Sequence, residues 1–145
     1  MERQVRTFEE VDEEAARLIA TLSPKEKGAT LVTLTGELGA GKTVFVKSAA
    51  KALGIGEIVT SPTFVLEKIY LLPEGNPFKR LVHIDAYRLG KGSDLAPLGF
   101  DELMKERDSL VMLEWPERVA DALPTADTRI TITIAPDESR VISYE

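Results

Sequence analysis

Apolar positions along the chain recur with two different periods. From Glu9 to Leu22, Val11, Ala15, Leu18, Ile19 and Leu22 fall near a 3.6-residue spacing, which predicts an amphipathic helix ended by Ser23-Pro24. Lys25 to Gly28 reads as a polar loop. A second helix is predicted from Lys42 to Leu53, stopped by Gly54. Short β-rich or apolar runs at Leu31–Thr35, Leu81–Ile84 and Leu110–Leu113 predict buried strands. Ile130–Ile134 alternates Ile with Thr and Val141–Tyr144 forms a further strand, with 135–139 as a hairpin loop between them. Ile58 to Tyr70 holds two apolar runs interrupted by Ser61-Pro62. Leu72–Phe78 and Gly90–Gly99 read as loops, and Phe100–Arg107 as a short helix. Phe8, Phe45, Phe64 and Phe100 are assigned to the core. Alternating strands and helices predict a single α/β domain. Its sheet is mixed but mostly parallel, flanked by helices, with an antiparallel strand pair at the C-terminal edge.

Composition narrows the chemistry. The 145 residues are 43% hydrophobic and 29% charged, with no Cys and one His. That suits a folded core and excludes disulfides, thiolate nucleophiles, iron–sulfur clusters and multi-His metal sites. No apolar run approaches the ~20 residues that span a bilayer. Met1–Asp12 is charged and lacks an apolar signal core, so a cytoplasmic protein without membrane association is expected. Net charge is −6 and the basic residues are dispersed. A chain that grips nucleic acid by itself usually shows a basic face, so any RNA role is expected to run through a partner.

One segment carries sharp chemistry. Gly36-Glu37-Leu38-Gly39-Ala40-Gly41-Lys42-Thr43 fits G-x-x-x-x-G-K-[ST], between a predicted strand and a predicted helix. Glycines let a backbone curl so that its N–H groups converge on phosphate oxygens. The helix that follows adds its positive end. Lys42 would reach the β- and γ-phosphates, and the Thr43 hydroxyl would ligate Mg²⁺. The Asn-Lys-x-Asp segment that reads guanine is missing, since the single Asn76 precedes Pro77. ATP or ADP is therefore the expected nucleotide, with the loop through Val44 as its binding segment.

Ligands of open α/β sheets sit at the carboxyl ends of strands. Two acids stand there, Asp85 and Glu114. Either can hold Mg²⁺ directly or through water, orient an attacking water, or serve as a plain helix cap or solvated charge. His83, two residues before Asp85, shares its strand face, as a titratable group or a packed core residue. Ser61 and Thr63 are a γ-phosphate-sensing loop or an ordinary turn. Arg88 contacts phosphate or a partner, or is plain surface. Trp115 is core or a reporter of nucleotide binding.

Four segments in this order resemble the TsaE family of bacterial tRNA threonylcarbamoyladenosine synthesis. They are the loop 36–43, Ser61-Pro62-Thr63-Phe64, His83-x-Asp85-x-Tyr87-Arg88-Leu89 and Glu114-Trp115-Pro116-Glu117. The resemblance spans 36–117, and the flanking helix and strands suit it. It implies a P-loop NTPase fold and a Mg²⁺-dependent ATPase. It also implies support of the TsaB–TsaD pair, which transfers threonylcarbamoyl to the adenosine beside the anticodon. Contact with tRNA would be indirect, and the free chain a monomer or weak oligomer. Residue by residue, it implies Mg²⁺ on Thr43 and Glu114, with Asp85 at the active site beside Lys42. Ser61–Thr63 become a switch-like loop. Adenine would lie between the start of the N-terminal helix, near Thr7 to Glu10, and the C-terminal hairpin near Arg140. The segment after Leu89, Gly90-Lys91-Gly92-Ser93, is richer in glycine than this pattern.

Two other functions use the same loop. A small nucleotide kinase would need an acceptor pocket and an arginine-dense lid, and no such loop is present. A nucleotide-dependent binding module would use ATP to order a docking face without obligatory turnover.

Overall fold

The computed structural model describes residues 1–56 and 66–145. The Ser61 and Thr63 assignment and the Phe64 core assignment lie outside the described residues. The elements are β1 (Glu2–Val5), α1 (Phe8–Thr21), β2 (Thr30–Thr35), α2 (Lys42–Ala52), β3 (Glu67–Leu71), β4 (Arg80–Asp85), α3 (Phe100–Leu103), β5 (Ser109–Glu114), β6 (Thr128–Ile134) and β7 (Arg140–Tyr144). Short 3-10 turns cover Gly92–Leu98, Pro116–Arg118 and Ala120–Ala122.

All seven strands form one mixed sheet in the order β1-β7-β6-β2-β5-β4-β3. β6, β2, β5 and β4 are mutually parallel, while β7 and β3 run against their neighbours. The expected C-terminal antiparallel pair exists as β6–β7, but it is not an edge. β6 pairs in parallel with β2, and β1 adds antiparallel to the outer side of β7. The segment 2–5 shows three exposed residues and one buried Val5, so no local apolar alternation announces it. Its pairing with residues 140–143 makes it a strand.

The pleat sorts the core into two layers. Val32, Leu34, Leu81, Leu110, Met112, Ile130, Ile132 and Ile142 pack under α1 and α2 with Phe45, Val46 and Ala49. Leu31, Val82, Ile84, Val111 and Leu113 pack on the other face with Leu95, Phe100, Leu103 and Val119. Phe45 and Phe100 are core as expected, whereas Phe8 is 73% exposed. Phe8 opens α1 directly after the Thr7 cap, on a turn that faces a cavity and not the sheet. The helix expected over Phe100–Arg107 stops at Leu103. Beyond it, Lys105 and Glu106 donate to carbonyls three residues back, and the Met104 carbonyl accepts from Ala29. Within the expected loop 90–99, Gly92–Leu98 winds into a 3-10 turn. A Cβ on Gly92 would lie 2.4 Å from that of Ala122, so only glycine allows this approach. Among the described residues no helix is long and apolar enough to cross a membrane.

A polar clamp fixes α1 on α2. Ser48 Oγ donates to Asp12 Oδ1 at 2.6 Å and Lys51 Nζ donates to Oδ2 at 2.8 Å. These two bonds hold the Asp12 carboxyl below its ordinary range, Lys51 more strongly than Ser48. A depressed carboxylate contributes stability above its unfolded-state value and loses it as pH falls through the folded one. Asp12→Asn is expected to lower stability at neutral pH by about 1–2 kcal/mol. The difference from the parent should shrink below about pH 4, as urea titrations across pH would show.

Candidate functional site

The glycine-rich loop joins β2 to α2 and is shaped by three glycines. Gly39 and Gly41 have φ of 82° and 115°, a region that side chains with a Cβ rarely adopt. Gly36 is required for space, because a Cβ there would lie 2.6 Å from the Ile132 carbonyl oxygen of β6. Between them Glu37 and Leu38 point outward, with Leu38 71% exposed, while Ala40 is buried. The Ala40 N–H closes a turn onto the Glu37 carbonyl at 3.0 Å. The first N–H groups of α2, at Lys42, Thr43 and Val44, lie where a helix has no internal acceptors.

Lys42 is 5% exposed. Its ammonium donates to the Gly36 carbonyl and to the Glu37 carbonyl, the latter at 3.0 Å, and lies 4.1 Å from the Trp115 ring centroid. Burial pushes Lys42 below the ordinary lysine range, and the carboxylates of Glu114, Glu117, Asp85 and Glu37 pull it back. Trp115 adopts φ 62° directly after β5, which swings its ring over the loop and against Tyr87, 5.0 Å between centroids. Arg118 stacks beside both rings.

Parallel register brings the acids to the loop. Asp85 and Glu114 are Cα partners across β4 and β5, and Leu34, two residues before Gly36, pairs with Glu114 across β2 and β5. Both acids are buried, at 4% and 2% exposure. Thr43 Oγ1 lies 3.0 Å from each Glu114 carboxylate oxygen. His83 Nε2 lies 2.5 Å from Glu114 Oε2. Asp85 Oδ1 accepts from the Tyr87 N–H at 3.0 Å. A cavity of 340 Å³ is lined by Gly39, Gly41, Lys42, Thr43, Asp85 and Glu114, with Tyr87 and Trp115 as an aromatic wall.

A second cavity of 510 Å³ opens on the other side of the loop, sharing Gly39, Gly41 and Val44. Thr7, Glu9 and Arg140 line it, with Val5, Phe8, Val11, Ile132 and Ile142 as apolar walls. Glu10 is not on this wall. Its backbone N–H donates to Thr7 Oγ1 at 3.1 Å and its carboxylate accepts from the Arg6 N–H, which closes the helix cap. Arg140 turns its guanidinium onto the loop itself. Nε donates to the Ala40 carbonyl at 2.9 Å and Nη2 to the Gly39 carbonyl at 3.4 Å. No motif marks Val5, Phe8 or Ile142, because the β1–β7 pairing that gathers them is long-range. The only sequence signal was the apolar alternation that already placed Ile132 and Ile142 in strands.

The fold and these cavities define a class: a mixed-sheet α/β protein whose central strand enters a G-x-x-x-x-G-K-T loop facing two carboxylates. Comparison with known proteins makes the class particular. The family model "Threonylcarbamoyl adenosine biosynthesis protein TsaE" matches residues 5–142, and the chain belongs to this family. It is 37% identical over 138 residues to the tRNA threonylcarbamoyladenosine biosynthesis protein TsaE of Bacillus subtilis, covering 92% of this chain and 81% of that one. It is 39% identical over 114 residues to the protein of the same name from Treponema pallidum, covering 79% and 80%. The crystal structure of Bacillus subtilis YdiB superposes with a TM-score of 0.77 at 30% identity, covering 99% of this chain and 83% of that chain. The family's role is in tRNA threonylcarbamoyladenosine biosynthesis.

Gly36→Ala tests the loop packing. The added methyl would press on the Ile132 backbone of β6 and crowd the Ala40 methyl at 3.2 Å, so a loss of about 1–3 kcal/mol in urea unfolding is expected. Gly56→Ala, where a Cβ meets no atom of the described residues within 4 Å, serves as the control.

Proposed function

We propose that this protein is a Mg²⁺-dependent ATPase acting as an accessory factor of the tRNA threonylcarbamoyladenosine-modifying machinery, with a TsaB–TsaD pair as its partner. The observation that carries the reading is Thr43 Oγ1 seated on both oxygens of the buried Glu114, one residue from the buried ammonium of Lys42. That set suits a hydroxyl and a carboxylate sharing one hard cation. Among the described residues no three His, Asp or Glu side chains converge as a complete metal cage. Mg²⁺ is usually held by one or two protein groups together with substrate phosphates, so the residues fit it. Thr43 and Glu114 would hold it, and when bound it would neutralise negative charge on the nucleotide phosphates.

The chain's own groups account for the rest. Lys42 and the first N–H groups of α2 bind phosphate oxygens. Asp85 orients the attacking water in line with the γ-phosphorus. The 510 Å³ cavity takes the nucleoside, adenine against Phe8 and Val5 near Thr7, with Arg140 holding the loop between base and phosphates. Among the described residues no arginine is assigned as an arginine finger, a group that contributes about 10³–10⁵ in rate when supplied in trans. Turnover by the isolated chain is therefore slow and rises with the partner. The net charge of −6 supports contact with tRNA through that partner and not by this chain alone.

Two measurements test this. Mg²⁺-dependent ATP hydrolysis should be slow for the purified chain and rise at least about tenfold with the TsaB–TsaD pair. A rate unaffected by the pair would sink the partner assignment. Thr43→Ala and Glu114→Ala should each lower hydrolysis by about 100-fold or more. Full activity in either variant would overturn the site.

A further inference from the structure

The single histidine is the one buried polar group of the site that the proposed chemistry leaves without a task. His83 is 0% exposed and sits in β4, paired across the ladder with Met112 of β5. Its Nε2 meets Glu114 Oε2, the same carboxylate that Thr43 contacts. Its Nδ1 is buried and has no hydrogen-bond partner among the described residues. A carboxylate accepts and does not donate, so the hydrogen of this contact belongs to Nε2. An orphaned N–H is rarer in folded proteins than an unused acceptor, which favours a bare lone pair at Nδ1. Donation to Glu114 thus requires the tautomer with its hydrogen on Nε2, and the contact fixes the orientation of the ring.

We infer that His83 is a positioning residue: its Nε2–H pins Oε2 of Glu114 so that the carboxylate presents a fixed edge to the Thr43 hydroxyl and the shared cation. The inference rests on the proposed Mg²⁺–nucleotide site and adds a residue to it. The register gives the geometry its logic. Asp85 pairs with Glu114, and His83 stands two residues back on the same strand face. The imidazole thus reaches Glu114 from behind the cavity without lining it. Groups that orient metal-ligating carboxylates change metal affinity about 10–100-fold when removed, while leaving the ligands themselves in place.

The chain makes the test clean, because every imidazole signal belongs to His83. The first readout is the ¹⁵N spectrum of the intact protein, which reports the tautomer independently of any activity. A hydrogen-bearing Nε2 and a bare Nδ1 are expected. The opposite tautomer would overturn the inference. The second readout is ADP affinity measured calorimetrically, in EDTA and across a Mg²⁺ series. His83→Leu should raise the Mg²⁺ needed for half-maximal enhancement of ADP binding by about tenfold or more, with affinity in EDTA unchanged. His83→Gln, whose amide can donate from a similar reach, should recover most of the loss. This rescue is one that a purely space-filling role would not produce, and His83→Met, apolar and of similar reach, replaces the leucine variant if His83→Leu fails to fold. Equal Mg²⁺ dependence in parent and both variants would overturn the positioning role while leaving the site reading intact. Absence of any Mg²⁺ effect on ADP binding by the parent protein would overturn both.

Discussion

The arrangement of this molecule depends on the register of three parallel strands. Leu34 pairs with Glu114, and Glu114 pairs with Asp85. One ladder step therefore sets the level at which the glycine loop leaves β2 and at which both acids end their strands. A slip of one residue would turn Glu114 to the opposite face, into the layer of Leu31, Val82 and Ile84, and bury an unpaired carboxylate in apolar packing. The two-layer core guards against that slip. The residues alternating with His83, Asp85 and Glu114 are Val82, Ile84 and Leu113, each fully buried under the other layer.

Two kinds of restraint then hold the loop against this frame. Backbone geometry supplies the first, through left-handed glycines at 39 and 41 and the close approach of Gly36 to β6. Side chains supply the second. Lys42 ties back to the loop's own carbonyls, and Arg140 reaches across from β7 to those of Ala40 and Gly39. Since Arg140 and Ile142 share a strand with one of the cavity walls, the same hairpin that braces the loop also shapes the space beside it. Charge follows burial here. Lys42 loses some of its preference for the proton through desolvation, and nearby carboxylates keep the ammonium favoured.

Much of this was legible in the sequence because its causes are local. The strand–loop–helix unit from Leu31 to Leu53 is written by periodicity and by glycine, and the acids Asp85 and Glu114 stand where short apolar runs end. What was not legible depends on distant pairing. β1 carries no apolar alternation and becomes a strand by joining β7, which in turn moves β6–β7 off the sheet edge. Phe8 looked like core by residue type and is exposed beside a cavity that only the folded chain creates. His83 was visible as a face-mate of Asp85. Its partner, Glu114, lies 31 residues further on and is found by register alone. Arg140 lines the cavity beside Thr7 while its guanidinium meets the loop carbonyls, whereas Glu10 lies off that wall because it closes the helix cap.

The Arg140 brace has a consequence for how the protein comes into being. It spans 100 residues, and the strand that carries it is paired with the first strand of the chain. Contacts of such separation form late, after the entropy of closing long segments has been met. The parallel strands β2, β5 and β4 pair with one another without any contribution from β7. The wall joining loop, hairpin and N-terminal segment needs it. Competence at the loop is thus complete only once residues 140–144 have paired with β6 and residues 2–5 have added to their outer side.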